Sequence, residues 1–516
     1  MKRILASLLI LTLATVSFAG CGKTDDKTSA GVKIELSDSG ITVDGEKITA
    51  EKTTGVYAAN DIVYYEEGHD FTYGDGNEDD AHNKDEADAH TVIHITQPGN
   101  YTLSGKITKG QVAIDLGEDA KGNPEAVVNL VLNNADINCD IAPAIIFYNV
   151  YECCEADEET ATKDVDTSTT GANVIIADNS VNNINGSYVA KIYKPDSVVL
   201  SDDGKEVEDA KKLHKYDGAF YSKMSMNIDA GEKGNGVLNI NADNEGLDSE
   251  LHLTINSGNI NIVSGNDGIN TNEDNVSVTT INGGNLNIFV NGSTGEGDGI
   301  DSNGWLVING GTVSAQACAT SGDAGIDSDK GIHINGGTVF ATGNMLDRIS
   351  ESKQNFAVFT FAQPQENSTL TLTSSSNKTV IENDVTNRFT YLVVSCPELV
   401  EDDYTLRNGE TKLQGVKAEN TMAGGMPQPP EGMMPPEGMT RPENVQPPEG
   451  MIPPEEMTRP KMPDGMTMPE GMAPPEGIPD PGIQQLPGNM PPSGNNAEGS
   501  EIFRITNGGN YFVSVR

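Results

Sequence analysis

Residues 297–311 read GDGIDSNGWLVINGG. Asp298, Asp301 and Asn303 bracket one Gly-Ile, and a short apolar run then leads into Ile-Asn-Gly-Gly. The pattern recurs on both sides. EGLDSE at 245–250 leads to LTINSGNINIV at 253–263, DGINTN at 267–272 leads to INGGNLNIF at 281–289, and AGIDSD at 324–329 leads to INGGTVFAT at 334–342. The isoleucines that open the second halves are Ile255, Ile281, Ile308 and Ile334, so the steps are 26, 27 and 26 residues.

A fixed period in the twenties, rich in β formers and Gly turns, predicts stacked repeats. After each turn the side chains alternate. Ile260/Ile262, Leu286/Ile288, Val313/Ala315 and Val339/Ala341 share one parity; Asn259/Asn261, Asn285/Asn287, Thr312/Ser314 and Thr338/Phe340 share the other. Such alternation is a strand with one buried face. The period is too short for a strand-helix-strand unit, which needs roughly 30 residues or more, and the leucine-rich LxxLxL spacing is absent. The expected fold is therefore all-β, a parallel β-helix solenoid with two or three short strands per coil. Further coils are expected upstream, with loop insertions at 152–171 and around 193–215.

In a parallel stack, equivalent positions lie about 4.8 Å apart. One column is then Asp248, Asn270, Asp301 and Asp327. A second is Glu250, Asn272, Asn303 and Asp329, and a third is Glu245, Asp267, Asp298 and Ala324. Two unit charges at that spacing repel by about 3–4 kcal/mol at an effective dielectric near 20. Asn ladders relieve this, and so does Ca²⁺ bound between coils by carboxylate, amide and backbone oxygens. The expected calcium ligands are Asp298, Asp301, Asp327 and Asp329, then Asp267 and Asn270, with Asp248 in the same column. No EF-hand loop is present.

The totals agree with this reading. The chain has 516 residues, with 33 basic against 77 acidic side chains and a net charge of −44. Nucleic acid is excluded as a partner, because phosphate would be repelled. Aromatic residues are only 5% and glycines number 56, which suits thin β layers with tight turns.

At the N-terminus, Lys2 and Arg3 precede an apolar run over 4–16 and then Ser-Phe-Ala-Gly-Cys at 17–21. The expectation is a lipoprotein signal peptide over 1–20 and a lipid anchor on Cys21, holding an exported chain to the outer face of a bacterial cell membrane. Residues 21–90 read as a tether and an N-terminal β and acidic segment, in which 74–90 carries His82 and His90 and reads as a solvated loop. Residues 91–422 are assigned to the β-helix. Residues 423–500 repeat PPEGM-like units and are expected to be a disordered spacer. Residues 501–516 form two strands around Asn-Gly-Gly, expected to dock back on the stack and close its edge. Beyond Cys21 the five cysteines lack zinc spacing. Cys139 can pair with Cys153 or Cys154 in an oxidising compartment, or all can stay as thiols.

The repeated DGI(D/N)(S/T) plus INGG pattern, with ITQPGNYTLSGKITKGQVAIDL at 95–116, VVNLVLNNADI at 127–137 and DGAFYSKMSMNI at 217–228, resembles the bacterial carbohydrate-binding domain family over roughly 91–342. The resemblance implies an exported, often lipid-anchored, calcium-bearing right-handed parallel β-helix similar to pectate lyases. It also implies binding of plant cell-wall polysaccharide, cellulose or an acidic pectin-like chain. On that footing Trp305, the only tryptophan, is the candidate stacking platform, in a column with His252 and Gly331. Asn285, Asn287 and Thr312 are candidate hydrogen-bonding partners for sugar. The enzymatic alternative is a calcium-dependent polysaccharide lyase with Lys330 or Lys223 as base. A third reading is an adhesion or structural surface protein.

Overall fold

The alternating apolar residues of each repeat fold as three short strands. In the 297–311 stretch these are Ile300–Ser302 and Trp305–Ile308, followed across the Gly-Gly turn by Thr312–Gln316. Each pairs in parallel with its counterpart in the preceding repeat. Ile300–Ser302 lies on Ile269–Thr271, which lies on Glu245–Ser249. Trp305–Ile308 lies on Val278–Ile281 and Leu253–Ile255. Thr312–Gln316 lies on Asn285–Val290 and Asn259–Ser264. The register matches the period: Ile255, Ile281, Ile308 and Ile334 are successive pairing partners.

This computed structural model describes residues 31–418 and 499–514, except 53, 155 and 351. The expected signal peptide, Cys21 and nearly all of the 423–500 segment lie outside the described residues. Among the described residues the fold is nearly all β, and Lys84–Asp88 is the only α-helix. No helix among them is long and apolar enough to cross a membrane.

In-register columns become the core. Ile281, Ile308 and Ile334 are fully buried, as are Leu247, Ile269 and Ile300 on a second wall and Val313 and Val339 on a third. All belong to one continuous apolar cluster. The second glycine of each INGG turn sets the spacing between layers. Gly284, Gly311 and Gly337 have φ of +86°, +79° and +83°, and a Cβ on Gly311 would stand 2.6 Å from the Gly284 carbonyl oxygen. Gly311→Ala therefore meets both the left-handed backbone and the layer below. It is expected to lower stability by roughly 2–4 kcal/mol in urea unfolding.

Parallel pairing starts earlier than expected from the repeat. Val32–Ser37 pairs in parallel with Gly99–Ile107, within the segment expected to hold N-terminal β structure ahead of the stack. The parallel stacking of repeats also stops earlier. Past Thr338–Gly343 most pairing is antiparallel: Phe389–Ser395 pairs antiparallel with Thr338–Gly343 and with Phe356–Gln365, while Phe356–Gln365 pairs in parallel only with Gly509–Ser514. Ser368–Ser374, Thr379–Val385 and Asp403–Asn408 form a further antiparallel sheet. This part has its own aromatic core, including Phe359, Phe389, Phe503 and Phe512. The C-terminal strands join it rather than the repeats. Gly509–Ser514 pairs with Phe356–Gln365 and Gly415–Ala418, and Phe503–Arg504 pairs with Asp403–Asn408. The edge of the last repeat is met by Phe389–Ser395.

Candidate functional site

The in-register walls bring two groups of acids together. In the first, carboxylate oxygens of Asp298, Asp301 and Asp327 all lie within 4.8 Å of one another. Asp301 is placed by its strand, paired with Asn270 one layer below. Asp327 follows through its own backbone, whose N–H donates to the Ile300 carbonyl at 2.7 Å. Asp298 is held at the turn, where one carboxylate oxygen accepts the Ala324 N–H at 2.5 Å. Asp267 does the same one layer down, accepting the Asp298 N–H at 2.6 Å. Asp267 and Asp298 thus each clamp the backbone of the next layer with one oxygen.

The second group sits lower in the stack. Asp248 is fully buried and pairs in register with Asn270. Asn272 donates to one oxygen of Asp248 at 2.6 Å, and Asn270 donates to one oxygen of Glu245 at 3.1 Å. The remaining oxygens, Asp248 Oδ2, Glu245 Oε2 and Asn270 Oδ1, are buried without a hydrogen-bond partner. Orphaned acceptors are costly unless something positive meets them, and here the Lys215 ammonium acts on both Glu245 and Asp248.

Burial pushes these acids up, and mutual repulsion adds to it. Asp301 is raised to about 6, by desolvation first and then by Asp329. Asp327 is raised to about 7, by desolvation and then Asp347. Asp267 is raised to about 8, by desolvation and then Asp301. Asp298, Asp248 and Glu245 are raised well above the carboxylate range, again chiefly by burial. An all-oxygen set of crowded acids with unpartnered acceptors has the donor chemistry of a hard divalent cation site. Of the expected ligands, Asp329 is exposed and lies outside the Asp298–Asp301–Asp327 group, although its charge is the strongest one acting on Asp301. Asp347 was not singled out in the sequence. It lies beyond the last repeat, so periodicity carried no signal for it. Glu245 was legible, since it shares a column with Asp267 and Asp298.

The expected sugar-contacting residues lie elsewhere. Trp305 is half-buried, and the Lys330 ammonium lies 6.0 Å from its ring centroid. Asn285 and Asn287 are exposed, but their amides donate to Asn259 at 2.8 Å and Asn261 at 3.0 Å, as rungs of Asn ladders. Thr312 is exposed, while its neighbour on the same face, Ser314, accepts a hydrogen bond from Asn383 at 2.6 Å. The antiparallel part therefore reaches over this face.

A groove of about 770 Å³ opens instead on the wall that contains Val278–Ile281 and Trp305–Ile308. Its floor includes Thr254, Thr280, Val307 and His333, one from each successive layer. One border is the Asn of each turn. Asn282, Asn309 and Asn335 donate in sequence to Asn256, Asn282 and Asn309, each at 2.9 Å. The other border is insertion 152–171, where Thr167 donates to Asn227 and to Thr254, both at 2.7 Å. No sequence period pointed to this groove, because an insertion makes one of its walls.

The remaining candidates resolve simply. His90 is buried and sits between the Glu86 carbonyl and the Asp140 carboxylate. The acidic segment holds the short helix Lys84–Asp88, closed by an Asn83–Glu86 capping box. Cys139, Cys153, Cys154, Cys318 and Cys396 are free thiols. Cys153 and Cys154 face each other at 3.1 Å, and Cys139 is buried in the core.

Comparison with known proteins places the chain. A family model described as carbohydrate-binding domain-containing protein matches residues 88–396, more than half of the sequence. The chain belongs to this family. A relative within the carbohydrate-binding domain family, from Acetivibrio thermocellus, is 27% identical over 263 residues, which is 51% of this chain and 64% of the relative. The match therefore spans less than two thirds of that relative's length. A solved structure described as the polysaccharide lyase-like protein from C. thermocellum, a gadolinium derivative, is similar with a TM-score of 0.32 and 17% identity, covering 63% of this chain and 100% of the other.

Proposed function

We propose that this protein binds polysaccharide without turning it over, by laying an extended glycan along the groove floored by Thr254, Thr280, Val307 and His333. The observation that carries this reading is the row itself: one side chain per layer, bordered by a ladder of amides. An extended sugar chain offers hydroxyls along its length, and parallel layers about 4.8 Å apart offer donors and acceptors along theirs. Family membership supports a carbohydrate partner. The natural glycan is proposed to be a plant cell-wall polysaccharide, cellulose or pectin-like.

The same reading takes the stacked walls as a right-handed parallel β-helix with Ca²⁺ between its coils. Asp298, Asp301 and Asp327 would hold one ion, with Asp267 adjoining, and Asp248, Glu245 and Asn270 offer oxygens for another. Calcium here would neutralise crowded carboxylates and fix the layers beneath the groove. Export and a lipid anchor on Cys21 complete the proposal, placing the binding surface outside the cell where calcium is plentiful.

Thr280→Arg fills the groove without touching the core. It is expected to weaken pull-down on insoluble cellulose or polygalacturonate by about tenfold, a loss of about 1.4 kcal/mol, with an unchanged melting temperature. Unaltered binding would remove the groove from the reading. Incubation with polygalacturonate is expected to give no rise in unsaturated-uronate absorbance. Such a rise, abolished by EDTA, would establish the lyase alternative. Failure to bind either glycan would leave the adhesion or structural reading.

A further inference from the structure

In a chain of net charge −44, one hollow gathers lysines. It has a volume of about 570 Å³ and is lined by five lysines and four glutamates, and Asp217, paired with Lys215, brings acids and bases into balance. It is distinct from the polysaccharide groove. Insertion 193–215 supplies part of its wall, the short 3₁₀ turn Glu118–Gly122 another part, and the end of Gly218–Ser222 its base.

Two of the lysines are already matched. Lys212 meets Glu250 at 2.9 Å, and Lys215 meets Asp217 at 3.1 Å. Glu152 is also spent, because its two oxygens accept the backbone N–H groups of Cys154 and Ser225 at 2.9 and 2.7 Å. Lys121, Lys194 and Lys223 have no ion-pair partner among the described residues, and all three are exposed. They come from three separate parts of the chain and converge on one cavity. Beside them, Leu213 is 47% exposed, an uncovered apolar side chain at the mouth, and Tyr216 and Met224 are buried behind it.

We propose that this hollow binds an anionic sugar residue, with the uronate carboxylate among Lys121, Lys194 and Lys223 and the ring against Leu213. The hollow is amphipathic, and so is a pyranose bearing an acid: it has a C–H face and a charged end. Three unpaired lysines in otherwise balanced surroundings suit a monoanion such as a carboxylate. A phosphate dianion would face Glu118 and Glu273 with too little positive charge to offset it. The volume is in the usual range for small-ligand sites. The hollow also answers a problem raised by the charge balance. An acidic polymer approaching this chain is repelled almost everywhere, so a local cluster of lysines decides where its charged groups settle. This deepens the polysaccharide reading by assigning acidic glycans a subsite of their own, outside the groove.

The test uses the full chain and two probes, a galacturonate oligomer and a neutral cello-oligosaccharide, each titrated calorimetrically at fixed calcium. Lys194→Glu with Lys223→Glu is expected to weaken the galacturonate oligomer by at least about tenfold and to flatten the salt dependence of its binding. Cello-oligosaccharide affinity should stay within about twofold. Lys194→Arg with Lys223→Arg keeps the charge and is expected to retain uronate binding, which separates loss of the site from loss of the fold. Unchanged uronate affinity in the charge-reversed variant overturns the proposal, and so does absence of uronate binding by the wild-type chain. If Thr280→Arg abolishes cello-oligosaccharide binding and leaves uronate binding intact, the two sites are separate, as proposed. If Thr280→Arg abolishes both while charge reversal abolishes neither, the groove stands and the hollow does not.

Discussion

Stripped of metal, this protein is expected to lose stability as the pH rises from about 4 to about 8, and calcium is expected to reverse the trend. The folded chain holds Asp301 near 6, Asp327 near 7 and Asp267 near 8, each above the ordinary value of 3.8. Between those values and the unfolded one, the folded state keeps protons that the unfolded state has released. Proton binding then favours folding. That contribution is complete below the unfolded pKa and fades as the pH passes through the folded ones. For Asp301 alone it amounts to roughly 3 kcal/mol, and the three are not additive because they repel one another. Calcium needs the same carboxylates ionised, so its contribution grows over the same window. At a hundredfold excess over Kd it adds about 2.7 kcal/mol per site, or roughly 5 °C in Tm. Melting curves at about pH 5, 6.5 and 8, in EDTA and in calcium, read both slopes directly. A Tm that climbs with pH in EDTA would contradict the buried-acid account.

The second large effect is expected from Asp301→Asn combined with Asp327→Asn. In EDTA at about pH 8 the double variant should melt higher than the wild type, because two crowded charges are gone while their size is kept. In calcium it should melt lower by roughly 5 °C, having lost the ion's contribution. Calorimetry should find one fewer calcium per chain. The opposite signs matter, because a merely damaging substitution lowers Tm under both conditions. An unchanged calcium response would remove these two residues as ligands. Asp329→Asn is expected to leave the calcium stoichiometry unchanged, since Asp329 is exposed and lies outside the Asp298–Asp301–Asp327 group, and only to relieve the repulsion on Asp301 in EDTA.

The acid column was readable because charge and core share one repeated motif. The motif that places Ile308 on Ile281 also places Asp301 on Asn270, although the first step is 27 residues and the second 31, because the turn between the walls varies in length. The mainly antiparallel part beyond Phe356 was not readable, because the sequence over 91–422 reads as one continuous stack. Alternation has a period of two in parallel and antiparallel strands alike, so Phe356–Gln365 and Phe389–Ser395 carry no mark of their direction. Asn285 and Asn287 are ambiguous in the sequence for a related reason. An outward Asn reads the same whether it faces sugar or the Asn of the next layer, and here both amides are used as rungs.

By itself the sequence determined that the protein is built of β strands, that its repeats stack with Ile over Ile, and that acids far apart in the chain become neighbours. Each follows from a local pattern that recurs in every repeat, which needs no knowledge of the rest of the molecule. Only the tertiary structure decided which acid oxygens are left without a partner, where the groove opens and where unpaired lysines gather. Those depend on insertions 152–171 and 193–215, which have no period, and a side chain's partner across such a loop is set by how the whole chain packs.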